Sequence, residues 1–133
     1  MRLIIDNNLW VSFTIGKRLR ALNQLFNRPD TAIYVCDELF SEFINVTQRP
    51  KFRGVITHHD IAVALRFMRE MCVYVKIEGT VSSPVRDKKD IYLLSLAETV
   101  KADYIVTGDR DLLVLGHHGT TQIITFADFS SFL

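Results

Sequence analysis

The sequence predicts a single α/β domain spanning residues 1–133, a mostly parallel central sheet flanked by helices, and three observations carry that expectation. Short apolar runs rich in β-branched residues alternate with longer segments of helical period: Leu3-Ile4-Ile5, Ala32 to Cys36, Val73 to Ile77, Tyr104-Ile105-Val106 and Gln122 to Thr125. That alternation is the signature of βα units. The first run is continuous and not alternating, the pattern of a strand covered on both faces. Finally, 133 residues, 48% of them apolar, suffice for one sizeable core, and no repeat, low-complexity tract or linker divides the chain.

Taken in order, Leu3-Ile4-Ile5 is the first strand and ends at Asp6-Asn7-Asn8. Leu9 to Phe13 forms a short helix, Gly16 breaks it, and Lys17 to Phe26 is a longer helix whose stripe is Leu19, Leu22, Leu25 and Phe26. Asn27 to Asp30 is a turn. Ala32 to Cys36 is the second strand, and Asp37 is its N-cap exit into a helix carrying Phe40, Glu42, Phe43, Ile44 and Val46. Pro50 ends that helix inside a small basic run of Arg49, Lys51 and Arg53. Thr57 caps the next helix with Asp60 as its capping-box partner, and Ile61, Ala64, Leu65 and Met68 line one face. Val73 to Ile77 is the third strand, and Glu78 to Arg86 a Gly/Ser/Pro loop. Asp87 caps a helix that leads into the strand Tyr104-Ile105-Val106 and the turn Thr107-Gly108-Asp109-Arg110-Asp111. Gln122 to Thr125 is the last strand, and Ala127 to Leu133 a terminal helix capped by Thr125.

Composition narrows the function classes. A net charge of +1 neither demands nor excludes a nucleic-acid partner, because balanced charges can still be separated in space. No apolar run approaches the roughly 18 residues that span a bilayer, so no membrane role is expected. The start MRLIID turns acidic too early for a signal peptide. Cys36 and Cys72 form no CxxC or metal-ligand spacing and read as buried thiols of a reducing compartment, which makes the cytoplasm the default location.

The acids fall where a parallel sheet binds ligands, outside the carboxyl ends of its strands. Asp6 ends the first strand, Glu42 lies on the helix after the second, Asp90 opens the helix before the fourth, and Asp109 follows the fourth. All can reach one edge if the first and fourth strands are neighbours. Taken singly, several acids of the chain have a purely structural account: an N-cap or Asx-turn for Asp6, a solvated helix face for Glu42, a cap for Asp87, and a first-turn acid for Asp111. Gathered carboxylates repel unless a cation neutralises them, and an all-oxygen donor set suits Mg²⁺ or Mn²⁺. His58-His59 open a helix and His117-His118 sit in a turn; neither pair has a helical metal-ligand spacing.

Four stretches, IIDNNLWVS, DELFSEFINV, DKKDIYLLSLAETVKADYIVTGDRDLL and the closing ITFADF, together resemble the PIN-domain nucleases, particularly the group regarded as toxins of toxin–antitoxin systems. The resemblance covers nearly the whole chain and implies a three-layer PIN-like fold. It assigns the family's four acids to Asp6, Glu42, Asp90 (seven before Ala97, in the D-x₆-A pattern) and Asp109 of the T-G-D turn. Asn7 departs from the Thr or Ser usual beside the first acid, while Asn8 keeps the usual asparagine.

The resemblance implies metal-dependent hydrolysis of RNA phosphodiester bonds. Asp6, Asp90 and Asp109 would hold Mg²⁺ or Mn²⁺, and Glu42 would complete the set or orient water. Asn8 and Thr107 would fix the carboxylates, with Asp87 and Asp111 alongside as cap and first-turn residues. An acidic pocket needs flanking cations to accept RNA, for which Arg49, Lys51, Arg53, Arg86, Lys88, Lys89 and Arg110 are placed. A homodimer is implied as well, together with a small antitoxin, supplied by another chain, that blocks the site. Two readings compete. A phosphoacceptor receiver domain fails because the first strand ends Asp-Asn-Asn and the third runs into Val75-Lys76-Ile77-Glu78. A PIN-like scaffold without catalysis remains as the alternative to an enzyme.

Overall fold

The computed structural model describes residues 1–16, 18–22, 27–79 and 88–131, the backbone alone at 20–21 and 88–89. The strands are β1 (Arg2–Ile5), β2 (Ala32–Val35), β3 (Val73–Tyr74), β4 (Tyr104–Val106), β5 (His117–His118) and β6 (Thr121–Ile124). The helices are α1 (Asn7–Ile15), α2 (Asp37–Thr47), α3 (His58–Met71), α4 (Lys88–Val100), α5 (Arg110–Leu113) and α6 (Phe126–Ser130). The strands form one sheet in the order β3-β2-β1-β4-β6-β5. All pairings are parallel except β5 with β6. The mostly parallel α/β fold expected from the sequence is therefore the fold of the protein.

Burial explains the placement of each strand. Leu3, Ile4 and Ile5 are all fully buried, as a central strand covered on both faces requires. β1 pairs with β2 on one side and with β4 on the other, Leu3, Ile4 and Ile5 lying opposite Tyr104, Ile105 and Val106. From β1 the chain runs outward to β2 and β3, then returns to β4 on the other side. The reversal between β1 and β4 is a topological switch point, where a crevice opens at the carboxyl ends of the strands.

Three helices, α1, α2 and α3, pack against one another, and α4 packs against β1 and β4. α2 buries Leu39, Phe43, Val46 and Thr47, a stripe of helical period. α4 buries Leu93, Leu94, Leu96, Ala97 and Val100, too many for one narrow face. Aromatic edges close the far side: Phe13 meets Phe126 at 5.2 Å between ring centroids, and Tyr104 meets Phe129 at 6.0 Å. The capping box read from Thr57 and Asp60 is present, with both bonds at 3.0 Å.

Some local expectations change. β3 is two residues long, not five, because it lies at the sheet edge and pairs only with β2. His117-His118 form a short antiparallel strand, not a turn. Cys36, not Asp37, occupies the N-cap position of α2; Asp37 lies in the first turn, and its carboxylate accepts the Tyr74 hydroxyl at 2.8 Å. Within the expected helix Lys17 to Phe26, the described residues Leu19–Leu22 form a 3-10 turn, and Lys17 and 23–26 lie outside the described residues. The final helix begins at Phe126, capped by Thr125 as expected. The loop after Gly79 and the cap Asp87 lie outside the described residues.

Candidate active site

β1, β4 and β6 finish level with one another. The Asp6 N–H donates to the Val106 carbonyl at 2.9 Å, and the Thr107 N–H to the Ile124 carbonyl at 2.9 Å. Asp6 and Thr107 thus leave adjacent strands at the same height, 101 residues apart in sequence. Asp6 stands at the N-cap position of α1, yet its side chain makes no capping bond there. Its Oδ2 instead accepts the Thr107 hydroxyl at 2.7 Å, and both residues are buried. The cap reading of Asp6 fails for that reason: its carboxylate is turned toward the neighbouring strand.

Thr107 carries the arrangement onward, its hydroxyl oxygen accepting the Asp109 N–H at 3.0 Å. The Asp109 side chain in turn caps α5, Oδ1 accepting the Asp111 N–H at 2.9 Å. Asp109 is therefore a structural cap that also faces the switch point. Asp111 sits in the first turn of α5, where the helix dipole favours an acid.

Glu42 is half-buried in the middle of α2 and not on a solvated face. Its Oε2 accepts the Tyr92 hydroxyl at 2.6 Å, which ties α2 to α4. Asp90 is buried in the first turn of α4, two residues before Tyr92. Asn8 is exposed and lines a cavity that also contains Arg49.

Electrostatics bring three of these acids together. Burial pushes the Asp6 carboxyl up to about 6, the Thr107 hydrogen bond opposes that rise, and the charges of Glu42 and Asp109 add to it. Tyr92 is raised as well, first by burial and then by its bond to Glu42 and the Glu42 and Asp6 charges. One oxygen of each of Asp6, Glu42 and Asp109 is anchored by the protein, through Thr107, Tyr92 and the Asp111 amide respectively. Asn7 is fully buried, and among the described residues neither polar atom of its side chain has a partner.

These donors suit a hard divalent cation: all are oxygens, they share one edge, and a positive ion would offset the burial and the neighbouring charges that raise Asp6. The orphaned Asn7 amide beside them is a further polar group that a hydrated ion would satisfy. Among the described residues, however, no three His, Cys, Asp or Glu side chains stand close enough together to hold an ion as they are placed.

Sequence reasoning missed Tyr92. The signal was a hydroxyl in an otherwise apolar helical run, Ile91-Tyr92-Leu93-Leu94, since a Tyr at a part-buried position needs a polar partner. Of the cations proposed to flank the site, Arg49, Lys51, Arg53 and Arg110 are exposed or half-exposed; Arg86 and the side chains of Lys88 and Lys89 lie outside the described residues.

Comparison with known proteins places the chain beside others. A family model described as the PIN domain matches residues 2–111. A solved structure, that of VapBC2 from Rickettsia felis bound to a DNA fragment from their promoter, superposes with a TM-score of 0.58 at 13% sequence identity. It covers 92% of this chain and 97% of the matched one. No curated protein matches the chain closely enough to count as a relative.

Proposed function

Because the chain belongs to the PIN-domain family, we propose that it is a metal-dependent endoribonuclease, the toxin component of a toxin–antitoxin system. The observation that carries this reading is the coupling of Asp6, Glu42 and Asp109 at the β1–β4 switch point, where burial and the two neighbouring charges raise the Asp6 carboxyl to about 6. A fold does not need this. Buried like charges destabilise a domain unless something positive binds among them.

Asp6, Asp90, Asp109 and Glu42 would hold Mg²⁺ or Mn²⁺. When bound, such an ion supplies a water of lowered pKa and stabilises charge on a phosphate under in-line attack. The chain's own part is positioning. Thr107 fixes the orientation of Asp6, Tyr92 that of Glu42, and the α5 amide that of Asp109. Burial of Asp6 and Asp90 keeps bulk water from screening them. RNA is the substrate that the family resemblance favours.

The likeness to the VapBC2 structure supports an antitoxin partner, a separate chain that blocks the carboxylate edge, and the resemblance also supports a homodimer. The cytoplasm is where such a protein would meet its RNA. No helix among the described residues is long and apolar enough to cross a membrane.

One observation favours a second reading, a PIN-like scaffold without turnover: among the described residues, no three His, Cys, Asp or Glu side chains stand close enough together to hold an ion. A single assay separates the two. Purified protein incubated with single-stranded RNA and Mg²⁺ or Mn²⁺ should cleave it, and both EDTA and Asp6→Asn should abolish cleavage. Cleavage that survives both treatments overturns the metal-carboxylate mechanism, and no cleavage under any metal leaves the scaffold reading standing.

A further inference from the structure

Three cavities open around one side chain. Arg49 lines a cavity of about 360 Å³ together with Glu42 and Tyr92. It also lines one of about 440 Å³ with Asn8, Arg18 and Lys51, and one of about 480 Å³ with Arg53 and His58. Each volume lies in the roughly 300–1,000 Å³ range of small-ligand sites. Arg49 is thus the residue that the hollow beside Glu42 shares with two hollows lined by further cations.

Those cations have no acidic partner among the described residues. The ion pairs there are Arg66 with Glu70 and His118 with Glu98, and neither involves Arg18, Arg49, Lys51 or Arg53. All four are exposed. On a chain whose net charge is only +1, four such cations around cavities that share Arg49 form a local positive field next to a negative one.

The backbone that carries three of them is fixed in shape. Pro50 opens a 3-10 turn, and the Phe52 N–H donates to the Arg49 carbonyl at 2.9 Å. The Arg53 N–H donates to the Pro50 carbonyl at 3.1 Å, and the Ile56 N–H to the Phe52 carbonyl at 2.9 Å. Phe52 is half-buried, lines both basic cavities, and has the Lys51 ammonium 5.0 Å from its ring centroid. The backbone positions that carry Arg49, Lys51 and Arg53 are thus set by the fold before any ligand arrives.

We propose that this surface is a track for single-stranded RNA, in which Arg49 binds the phosphate next to the one to be cleaved. Arg18 and Lys51 on one side, and Arg53 on the other, take phosphates further along the strand. The planar guanidinium fork matches phosphate oxygens in pairs, and hollows the size of a small ligand suit separate nucleotides better than a stacked duplex. The proposal rests on the reading of the protein as acting on RNA.

The test is binding of a fluorescent 12-nucleotide single-stranded RNA to Asp6→Asn protein, measured across a series of salt concentrations with Mg²⁺ present. Adding Arg49→Gln should weaken binding about tenfold, the scale of one charge-assisted hydrogen bond. The slope of log affinity against log salt should fall by about 0.7, the contribution of one single-strand phosphate. Arg49→Gln/Arg53→Gln should lower it by about 1.4. Arg66→Gln, which removes one charge on α3 that lines none of these cavities, should change neither quantity. If the background protein binds RNA and Arg49→Gln binds equally well, or if Arg66→Gln weakens it as much, the track is wrong while the RNA reading stands. If the background protein binds no RNA, the RNA reading fails and takes the track with it.

Discussion

The two ends of the β1–β4 pair each carry an aspartate and a threonine and behave in opposite ways. At the amino end, Asp103 accepts the Arg2 N–H at 2.7 Å, the Arg2 guanidinium donates to the Val100 carbonyl at 2.7 Å, and the Thr121 hydroxyl donates to the Ala102 carbonyl at 2.6 Å. An acid, a cation and a threonine there satisfy strand ends and helix termini. At the carboxyl end, Thr107 donates to a carboxylate and not to a carbonyl, Asp6 is buried within reach of the charges of Glu42 and Asp109, and the Asn7 amide is left without a partner among the described residues. One end closes the fold; the other concentrates negative charge at a cost. A fold tolerates such a cost where a ligand repays it.

The comparison is broken most directly by Asp6→Asn. We expect it to reduce RNA cleavage at least a hundredfold, the scale on which a lost electrostatic contact to a transition state is felt. The same change should stabilise the metal-free protein at pH 7, because it removes a buried charge. Thr107→Val should lower metal affinity or cleavage by roughly 10- to 100-fold, since Asp6 loses the hydroxyl that orients it. Metal titration by calorimetry, with RNA turnover alongside, checks this. Tyr92→Phe should act the same way through Glu42, near the lower end of that range. At the amino end, Thr121→Val should leave cleavage unchanged and cost about 1–3 kcal/mol of stability, because the Ala102 carbonyl is left buried without its donor. Denaturant unfolding reads that loss. If Thr121→Val impaired cleavage as Thr107→Val does, the distinction between the two ends would be lost.

The sequence announces the fold where a single segment suffices. Leu3-Ile4-Ile5 is apolar throughout because both faces of β1 are covered, and Thr57 with Asp60 spells out its own capping box. It is silent where partners decide. Val73 to Ile77 is an apolar run of strand character, but an edge position with one neighbour leaves only two residues paired. His117-His118 has no apolar pattern and becomes a strand through β6 and the turn at Gly119, whose φ of +58° favours glycine.

The same division holds at the site. Asp6, Glu42, Asp90 and Asp109 stand out by their positions after strands or on helices of an α/β plan. The contacts that orient them join residues 101 apart for Asp6 and Thr107 and 50 apart for Glu42 and Tyr92, separations that no local pattern encodes. Asp109 illustrates a further limit: it caps α5 as well as standing among the acids, a second role that its place after a strand does not reveal.

The central claim, that the carboxyl end of β1 and β4 is a cation site, is tested by thermal unfolding against pH with and without Mn²⁺. The Asp6 carboxyl is raised from 3.8 to about 6 in the folded protein. Protonated Asp6 therefore contributes stability that is fully present below about pH 4 and lost as pH rises through about 6. The loss is on the order of 3 kcal/mol. Without metal, the wild-type melting temperature should fall relative to that of Asp6→Asn across this window. At pH 7, Mn²⁺ should restore it in the wild type and leave Asp6→Asn unmoved. A wild type indifferent to Mn²⁺, or a variant stabilised by it equally, would contradict the claim.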